Sequence, residues 1–176
     1  MDAISPDPAG AAAVVRPAAD NDVGPIQRLA VDNGMFAPGD LAGFDEMLRG
    51  YLDGSLDQHR WIVALDPDGR IAGAAYYAPE PFADRVWNLY FLAVDPHLHR
   101  HGVGTTLVAH VETSLRGAGE QLARVLLVET SSTDDYEGAR RFYGREGFDL
   151  EARFREFYGP GDDKVVFWKS LIETED

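Results

Sequence analysis

The sequence has 176 residues, of which 45% are hydrophobic and 11% aromatic, so one domain can bury its own core and a wholly disordered chain is excluded. Cysteine is absent, which excludes disulfides, zinc–thiolate sites and thiol nucleophiles. The formal net charge of −14 disfavours binding to nucleic acid or to anionic membranes, because both attract proteins mainly through lysine and arginine.

The N-terminal segment, residues 1–12, is rich in proline, alanine and aspartate and shows no hydrophobic periodicity. We therefore expect a mobile tail, followed by a single domain over residues 13–176. The chain has no apolar run close to the ~20 residues that a membrane helix needs. Its N-terminus also lacks the basic head of a secretory signal. These features favour a cytoplasmic protein that makes no contact with a membrane.

The first half of the domain contains alternating strand-like and helix-like segments. Residues 13–16 form the first predicted strand, and two amphipathic helices follow, the second over residues 41–52. Residues 61–65 and 71–78 are strand-like, and the Asp-Pro-Asp-Gly turn between them predicts an antiparallel hairpin. The loop that follows carries two carboxylates, Glu80 and Asp84, which either bind an ammonium group or are simply solvated.

The next stretch joins a buried strand to a glycine-containing turn and a helix. Residues 85–94 are rich in aromatic and β-branched side chains, and Pro96 ends the strand because it lacks an N–H group. Gly102 and Gly104 then precede an amphipathic helix. The free N–H groups at a helix start carry partial positive charge, and glycine lets a ligand approach the backbone closely. The stretch therefore predicts a phosphate-binding turn.

Two common phosphate-binding motifs do not match this turn. A Walker-type loop ends in Gly-Lys-Ser/Thr, whereas Gly104 is followed by Thr105 with no lysine nearby. A dinucleotide fingerprint needs a third glycine where this chain has Leu107. The pattern that remains is Asp-Pro, five further residues, and Gly-x-Gly-x-x-Leu. It resembles motif A of the GNAT superfamily of acyl-CoA-dependent N-acyltransferases.

The second half of the chain extends this resemblance. Residues 124–130 form a strand that should lie parallel to residues 85–94, because a helix connects the two. A helix over residues 136–146 and a hairpin of residues 150–158 and 164–171 complete the domain. The order β-α-α-β-β-β-α-β-α-β-β is that of GNAT folds. The resemblance implies an α/β fold with about four helices and a mixed, mostly antiparallel seven-stranded sheet with a central parallel strand pair.

The resemblance also implies acetyl-CoA as the acyl donor. In GNAT enzymes the two parallel strands splay apart, the pantetheine arm pairs with the free backbone of the first strand, and the glycine turn holds the pyrophosphate. The implied pantetheine contacts are Leu92, Ala93 and Val94, and the implied pyrophosphate contacts are Arg100, His101, Gly102, Val103, Gly104 and Thr105. His99 replaces the glutamine or arginine that begins the family motif, and Arg100 beside it supplies positive charge.

Acyl transfer to an amine needs one group that accepts a proton from the amine and another that protonates the departing thiolate. Tyr143 follows Ala139 by four residues and precedes a Gly-Phe pair, which is the GNAT spacing of the tyrosine that acts as general acid. Glu129, near the end of an otherwise apolar strand, is the candidate base, and some GNAT members use a glutamate there. An ordered water chain is the alternative base. Glu129 would then face solvent or pair with an arginine such as Arg124.

The remaining expectations concern partners and metals. The histidines have no carboxylate cluster at ligand spacing, so we expect no metal site. We expect a small-molecule or peptide amine as acceptor and no nucleic acid, and a homodimer is one open assembly. Arg153, Arg155 and Tyr158 are candidate contacts for a carboxylate on the acceptor.

Two other functions remain open. A catalytically silent acyl-CoA-binding or sensing domain would keep Gly102 and Gly104 without needing Tyr143 or Glu129. An aminoacyl-tRNA-modifying toxin of the same fold should be basic in order to bind RNA, and the acidic charge of this chain disfavours it. The presence of both catalytic candidates favours an enzyme over either alternative.

Overall fold

The computed structural model describes residues 13–172, so the predicted tail, residues 1–12, lies outside the described residues. Within residues 13–172 the chain forms seven strands and four α-helices in the predicted order. In chain order they are β1 (Val14–Pro17), α1 (Val23–Asp32), α2 (Ala42–Leu52), β2 (Arg60–Leu65), β3 (Ile71–Pro79), β4 (Val86–Val94), α3 (Val103–Ala118), β5 (Val125–Ser131), α4 (Glu137–Arg145), β6 (Asp149–Gly159) and β7 (Asp162–Ser170). Short 3₁₀ turns precede α1, α3 and α4.

The strands form one sheet in the order β1-β2-β3-β4-β5-β7-β6. Every neighbouring pair is antiparallel except β4 and β5, which are parallel. Helix α3 connects those two strands, because parallel neighbours need a crossover connection. The predicted α/β fold, with a mixed and mostly antiparallel sheet around a central parallel pair, is confirmed.

Helices cover both faces of the sheet. The face under α1 and α2, called the α1/α2 side below, is packed around Ile26 and Leu48. The opposite face, the α3/α4 side, is packed around Leu107 and Val111, and all four side chains are fully buried. Truncating a fully buried leucine to alanine typically costs about 2–5 kcal/mol. The apolar residues that the sequence places at helical spacing therefore fix the helices on the sheet.

The sheet opens between β4 and β5, and this sheet opening is the feature that positions the candidate site. The two strands pair only from Val86 opposite Val125 to Leu89 opposite Val128. Beyond that point β4 remains paired with β3, and β5 remains paired with β7. The register between β3 and β4 shifts so that Tyr90 is an extra residue on β4. Such a bulge bends its strand, which turns β4 away from β5.

Two local details differ from the sequence-based expectation. The predicted helix at residues 136–146 begins later, because Tyr136 belongs to a preceding 3₁₀ turn and α4 starts at Glu137. The predicted five-residue turn between the last strands is a two-residue turn, since Gly159 pairs with Asp162 and Gly161 adopts φ +77°. No helix among residues 13–172 combines the length and the apolar character needed to cross a bilayer.

Candidate active site

The glycine turn, residues 99–104, presents unpaired backbone amides at the start of α3. Gly102 has φ +81°, a left-handed conformation that glycine adopts at little cost. The first helical hydrogen bond runs from the Thr106 amide to the Gly102 carbonyl at 2.9 Å. The amides of Val103, Gly104 and Thr105 therefore precede the helical ladder and point their N–H groups out of the helix start. Three such amides at the positive end of the helix dipole fit an anionic group.

Gly104 is required by close packing rather than by its backbone angle. A Cβ atom there would lie 3.1 Å from Cζ of Phe142 and 3.8 Å from Cγ2 of Val94. Phe142 belongs to α4 and Val94 ends β4, so the start of α3 is in contact with both elements. The glycine turn, the end of β4 and the helix that carries Tyr143 are thus next to one another, as a shared ligand site requires.

Two of the three predicted pantetheine contacts lie on the free edge of β4. The Asp95 amide donates to the Ala72 carbonyl at 2.8 Å, and two residues earlier Ala93 lies opposite Ala74. Because hydrogen-bonded pairs alternate along antiparallel strands, the amide and carbonyl of Ala93 also face β3. The backbone groups of Leu92 and Val94 face the other way, toward the sheet opening. The structure therefore gives Ala93 no free backbone group on that edge.

The carbonyl of Val94, at the end of this edge, already has two hydrogen-bond partners. Nδ2 of Asn33 donates to it at 3.0 Å, and Nε2 of His99 lies 3.1 Å from it. Asn33 follows α1 and ties that helix to β4, a role that the sequence analysis missed although asparagine is common at helix ends. His99, which replaces the glutamine or arginine of motif A, is directed at the strand and fixes the turn against β4.

Thr105 makes a contact that the sequence analysis did not foresee. Its hydroxyl Oγ1 donates to Oε1 of Glu146 at 2.7 Å, across from the end of α4. The backbone carbonyl of Glu146 accepts from Nζ of Lys169 at 2.7 Å, which holds this residue in place. A carboxylate at the start of α3 interacts favourably with the helix dipole, and it would repel a phosphate bound to the same amides.

Tyr143 lies on the α3/α4 side, in an aromatic group next to the sheet opening. It is 7% exposed, and its ring centroid is 5.3 Å from Phe142, 5.8 Å from Phe148 and 5.8 Å from Phe167. Among residues 13–172 its hydroxyl has no hydrogen-bond partner. Burial raises the pKa of Tyr143, because the apolar surroundings disfavour the phenolate. Tyr143 therefore keeps its proton at neutral pH, the form that a proton donor needs.

Glu129 lies on the other side of the sheet. Val128 faces α3, so the alternation of β5 directs Glu129 to the α1/α2 side. Its Oε2 atom is 3.2 Å from Nζ of Lys164, and its side chain is 29% exposed. The alternative partner Arg124 instead binds Asp84, with Nε 3.3 Å from Oδ2 of that carboxylate. Glu129 thus lies beside the sheet opening with Lys164 as its counter-ion, and Asp84 is occupied by arginine.

The comparisons with known proteins identify the family and the fold. The model of the acetyltransferase (GNAT) family matches residues 36–148, which is more than half of the chain. The chain belongs to the GNAT acetyltransferase family. A GNAT-family protein from Desulfovibrio desulfuricans is 31% identical, with a TM-score of 0.81 over 92% of this chain and 100% of its own length. No curated protein matches the sequence.

More distant GNAT structures share the fold. The ribosomal-protein-S18-alanine N-acetyltransferase from Escherichia coli is 17% identical, with a TM-score of 0.72 over 93% of this chain and 96% of its own. An aminoglycoside 6′-N-acetyltransferase complexed with coenzyme A is 16% identical, with a TM-score of 0.71 over 93% of this chain and 99% of its own. At these identities both likenesses show the fold alone.

A groove near the β6 edge of this GNAT domain is lined by three arginines, each of which already binds another group of the protein. The groove has a volume of about 410 Å³ and lies between α4 and the last two strands. Its three arginines are all engaged by the protein: Nη1 of Arg140 donates to the Ser131 carbonyl at 2.7 Å, Arg141 pairs with Glu137, and Arg153 pairs with Asp163. At the glycine turn, the exposed Arg100 makes neither a hydrogen bond nor an ion pair within residues 13–172, and it adds positive charge beside the free amides of α3.

Proposed function

We propose that this GNAT protein transfers the acetyl group of acetyl-CoA directly to a primary amine of a small molecule or peptide. The observation that carries the proposal is the sheet opening beyond Leu89 and Val128, which leaves the edge of β4 unpaired beside the free amides of α3. A closed parallel pair would leave no backbone for a pantetheine arm. The GNAT family acts with acetyl-CoA, and one structural relative is complexed with coenzyme A.

The described residues fit acetyl-CoA in two places. The free amides of Val103, Gly104 and Thr105, with Arg100 and His101 next to them, suit the diphosphate, because amides at a helix start and nearby cations both attract anions. The outward-facing amide and carbonyl of Leu92 and the amide of Val94 suit the pantetheine arm, whereas the Val94 carbonyl is already bound by Asn33 and His99. In this proposal Ala93 contributes only its small side chain, because its backbone groups are paired with β3.

The positions of Glu129 and Tyr143 on opposite sides of the sheet support a division of roles. The amine approaches from the α1/α2 side, and its nitrogen attacks the thioester carbonyl carbon. Glu129, or a water molecule that it orients, accepts the proton that the nitrogen loses. The carbon–sulfur bond breaks, and the Tyr143 hydroxyl gives its proton to the sulfur from the α3/α4 side. The Leu92 amide faces the opening and is the candidate donor to the oxyanion that forms in between.

The test combines a binding measurement with a turnover assay. Calorimetry with acetyl-CoA should show saturable binding of one molecule per chain. Release of free CoA thiol should then depend on an added acceptor, measured across primary amines, amino acids and short peptides. Binding without turnover of any acceptor would favour the silent acyl-CoA-binding domain. No binding of acetyl-CoA would overturn the proposal as a whole.

A further inference from the structure

A second carboxylate, Glu80, lies on the α1/α2 side next to the sheet opening. Its amide donates to the Val86 carbonyl at 2.8 Å, which holds the residue beside the start of β4. Its side chain then extends along β4, where Oε1 accepts one hydrogen bond from Nδ2 of Asn88 and one from the Tyr90 hydroxyl, both at 2.8 Å. The second oxygen, Oε2, has no hydrogen-bond partner among residues 13–172.

The charge of Glu80 is not compensated by the described protein. Glu80 is half-buried, yet no lysine, arginine or histidine nitrogen of residues 13–172 lies within 4 Å of its carboxylate. Some partly buried carboxylates have a cation, as Asp22 does in Arg16 and Glu129 does in Lys164, whereas Glu146, like Glu80, has none within residues 13–172. Removing a carboxylate from water without a counter-ion is costly. Glu80 therefore resembles a binding group whose partner comes from outside the chain.

Asn88 adds an independent sign of a missing donor. Its neighbours Trp87 and Leu89 face the α3/α4 side, so the Asn88 side chain faces the same side as Glu80. Asn88 is 0% exposed, and while Nδ2 is used by Glu80, its Oδ1 atom has no partner. A buried acceptor without a donor is destabilising, because the atom has lost its hydrogen bonds to water. Oδ1 of Asn88 is an acceptor, and so is Oε2 of Glu80 beside it, which has no partner within residues 13–172, so a group that binds this pair must be a donor.

Tyrosine rings make the same pocket suitable for a cation. Tyr90 is 45% exposed, and its ring stacks on Tyr76 with a centroid distance of 5.5 Å. Tyr76 in turn stacks on Trp61 at 4.6 Å. The faces of such rings attract ammonium groups. Burial raises the pKa of Tyr90, and its hydrogen bond to Glu80 and the charges of Glu80 and Glu129 raise it further. Tyr90 therefore contacts Glu80 directly and lies near Glu129, and its ring is partly exposed.

We propose that the acceptor carries a second positive charge besides the amine that is acetylated, as an aliphatic diamine or a lysine-containing peptide does. Glu80, supported by Asn88 and Tyr90, binds the second cation, while Glu129 faces the reacting nitrogen. The inference rests on the proposed function and narrows its acceptor to a class. The formal charge of −14 favours the approach of such a dication.

Matched acceptors test the inference. Thiol release at saturating acetyl-CoA is compared for 1,4-diaminobutane and butylamine, and for a short peptide with lysine or norleucine at the same place. A hydrogen-bonded charge pair contributes about 1.5–3 kcal/mol, so kcat/KM should favour the dication by at least about tenfold in one of the two pairs. A preference within the first pair would identify a free diamine as the acceptor class, and a preference within the second pair would identify a peptide.

Glu80→Gln is the decisive variant because the glutamine oxygen still accepts from Asn88 and Tyr90. It should raise the KM of the dication about tenfold or more, keep kcat, and leave acetyl-CoA binding by calorimetry unchanged. Asp84→Asn is the control, because it removes a carboxylate from the same loop that is already paired with Arg85 and Arg124. This variant should keep the preference for the dication. Equal use of mono- and dications by a wild-type protein that binds and turns over acetyl-CoA would overturn this inference alone. An equal loss of the preference for dications in Glu80→Gln and Asp84→Asn would also overturn it, because the effect would then not be specific to Glu80.

Discussion

Tyr143→Phe separates catalysis from packing at the candidate site. The ring keeps its contacts with Phe142, Phe148 and Phe167, and the only atom removed is the hydroxyl oxygen. That hydroxyl makes no hydrogen bond within residues 13–172, so its removal breaks no hydrogen bond of the protein. The free energy of unfolding of Tyr143→Phe should therefore not fall below the wild-type value, as measured by denaturant titration.

The same change should strongly reduce turnover. A positioned general acid contributes about 100- to 10,000-fold to a rate, so kcat for an identified acceptor should fall at least about 100-fold, or about 2.7 kcal/mol of barrier. The affinity for acetyl-CoA should be unchanged, because the hydroxyl acts on the departing sulfur. Thiol release gives kcat, and calorimetry gives the affinity.

Tyr77→Phe is the matched control for this experiment. Tyr77 is another buried tyrosine, 4% exposed, but it packs on Trp87 of the paired part of the sheet, away from the opening. Its variant should keep the wild-type kcat. A Tyr143→Phe protein that turns over the acceptor at the wild-type rate would refute the role of Tyr143 as the acid.

Three further predictions concern the glycine turn and alkaline pH. Glu146→Gln removes a negative charge beside the phosphate-binding amides, worth on the order of 1 kcal/mol, so calorimetry should show acetyl-CoA binding about fivefold more tightly. Gly102→Ala should cost about 1–2 kcal/mol in denaturant titration because of its φ of +81°, whereas Gly117→Ala inside α3 should gain about 0.5–1 kcal/mol. Burial raises the pKa of Tyr143 and raises that of Tyr76 to about 12. Their contribution to stability should thus be complete below the ordinary tyrosine pKa of about 10 and decline as pH rises toward 12, followed by thermal melts.

Local pattern was sufficient to predict most of the fold. The helical spacing of Leu107 and Val111 placed α3 on the sheet, and the helix between the two central strands required them to be parallel. The two glycines of the turn followed from different needs: Gly102 from its left-handed backbone, and Gly104 from its contact with Phe142. The placement of α3 and the conformation of Gly102 depend on residues close together in the sequence or on a simple rule of connection, whereas the contact of Gly104 with Phe142 is visible only in the folded structure.

The side-chain pairs of the site could not be predicted in this way. Asn33 binds the carbonyl of Val94, and Glu129 pairs with Lys164, so each pair joins elements that only the folded sheet brings together. For Glu129, the sequence suggested Arg124 as a partner and gave no reason to prefer Lys164. Asn88 did give a signal, because it is an amide in an otherwise apolar strand. A buried amide needs a hydrogen-bond partner, so a polar residue could have been expected beside that face of the strand.

A crystal structure of the protein with coenzyme A tests the central claim most directly. We predict that the diphosphate lies within hydrogen-bond distance of the Val103, Gly104 and Thr105 amides, and that the pantetheine arm lies along Leu92 and Val94 in the sheet opening. Coenzyme A bound elsewhere on the chain, or β4 and β5 paired along their whole length with the cofactor excluded, would contradict it.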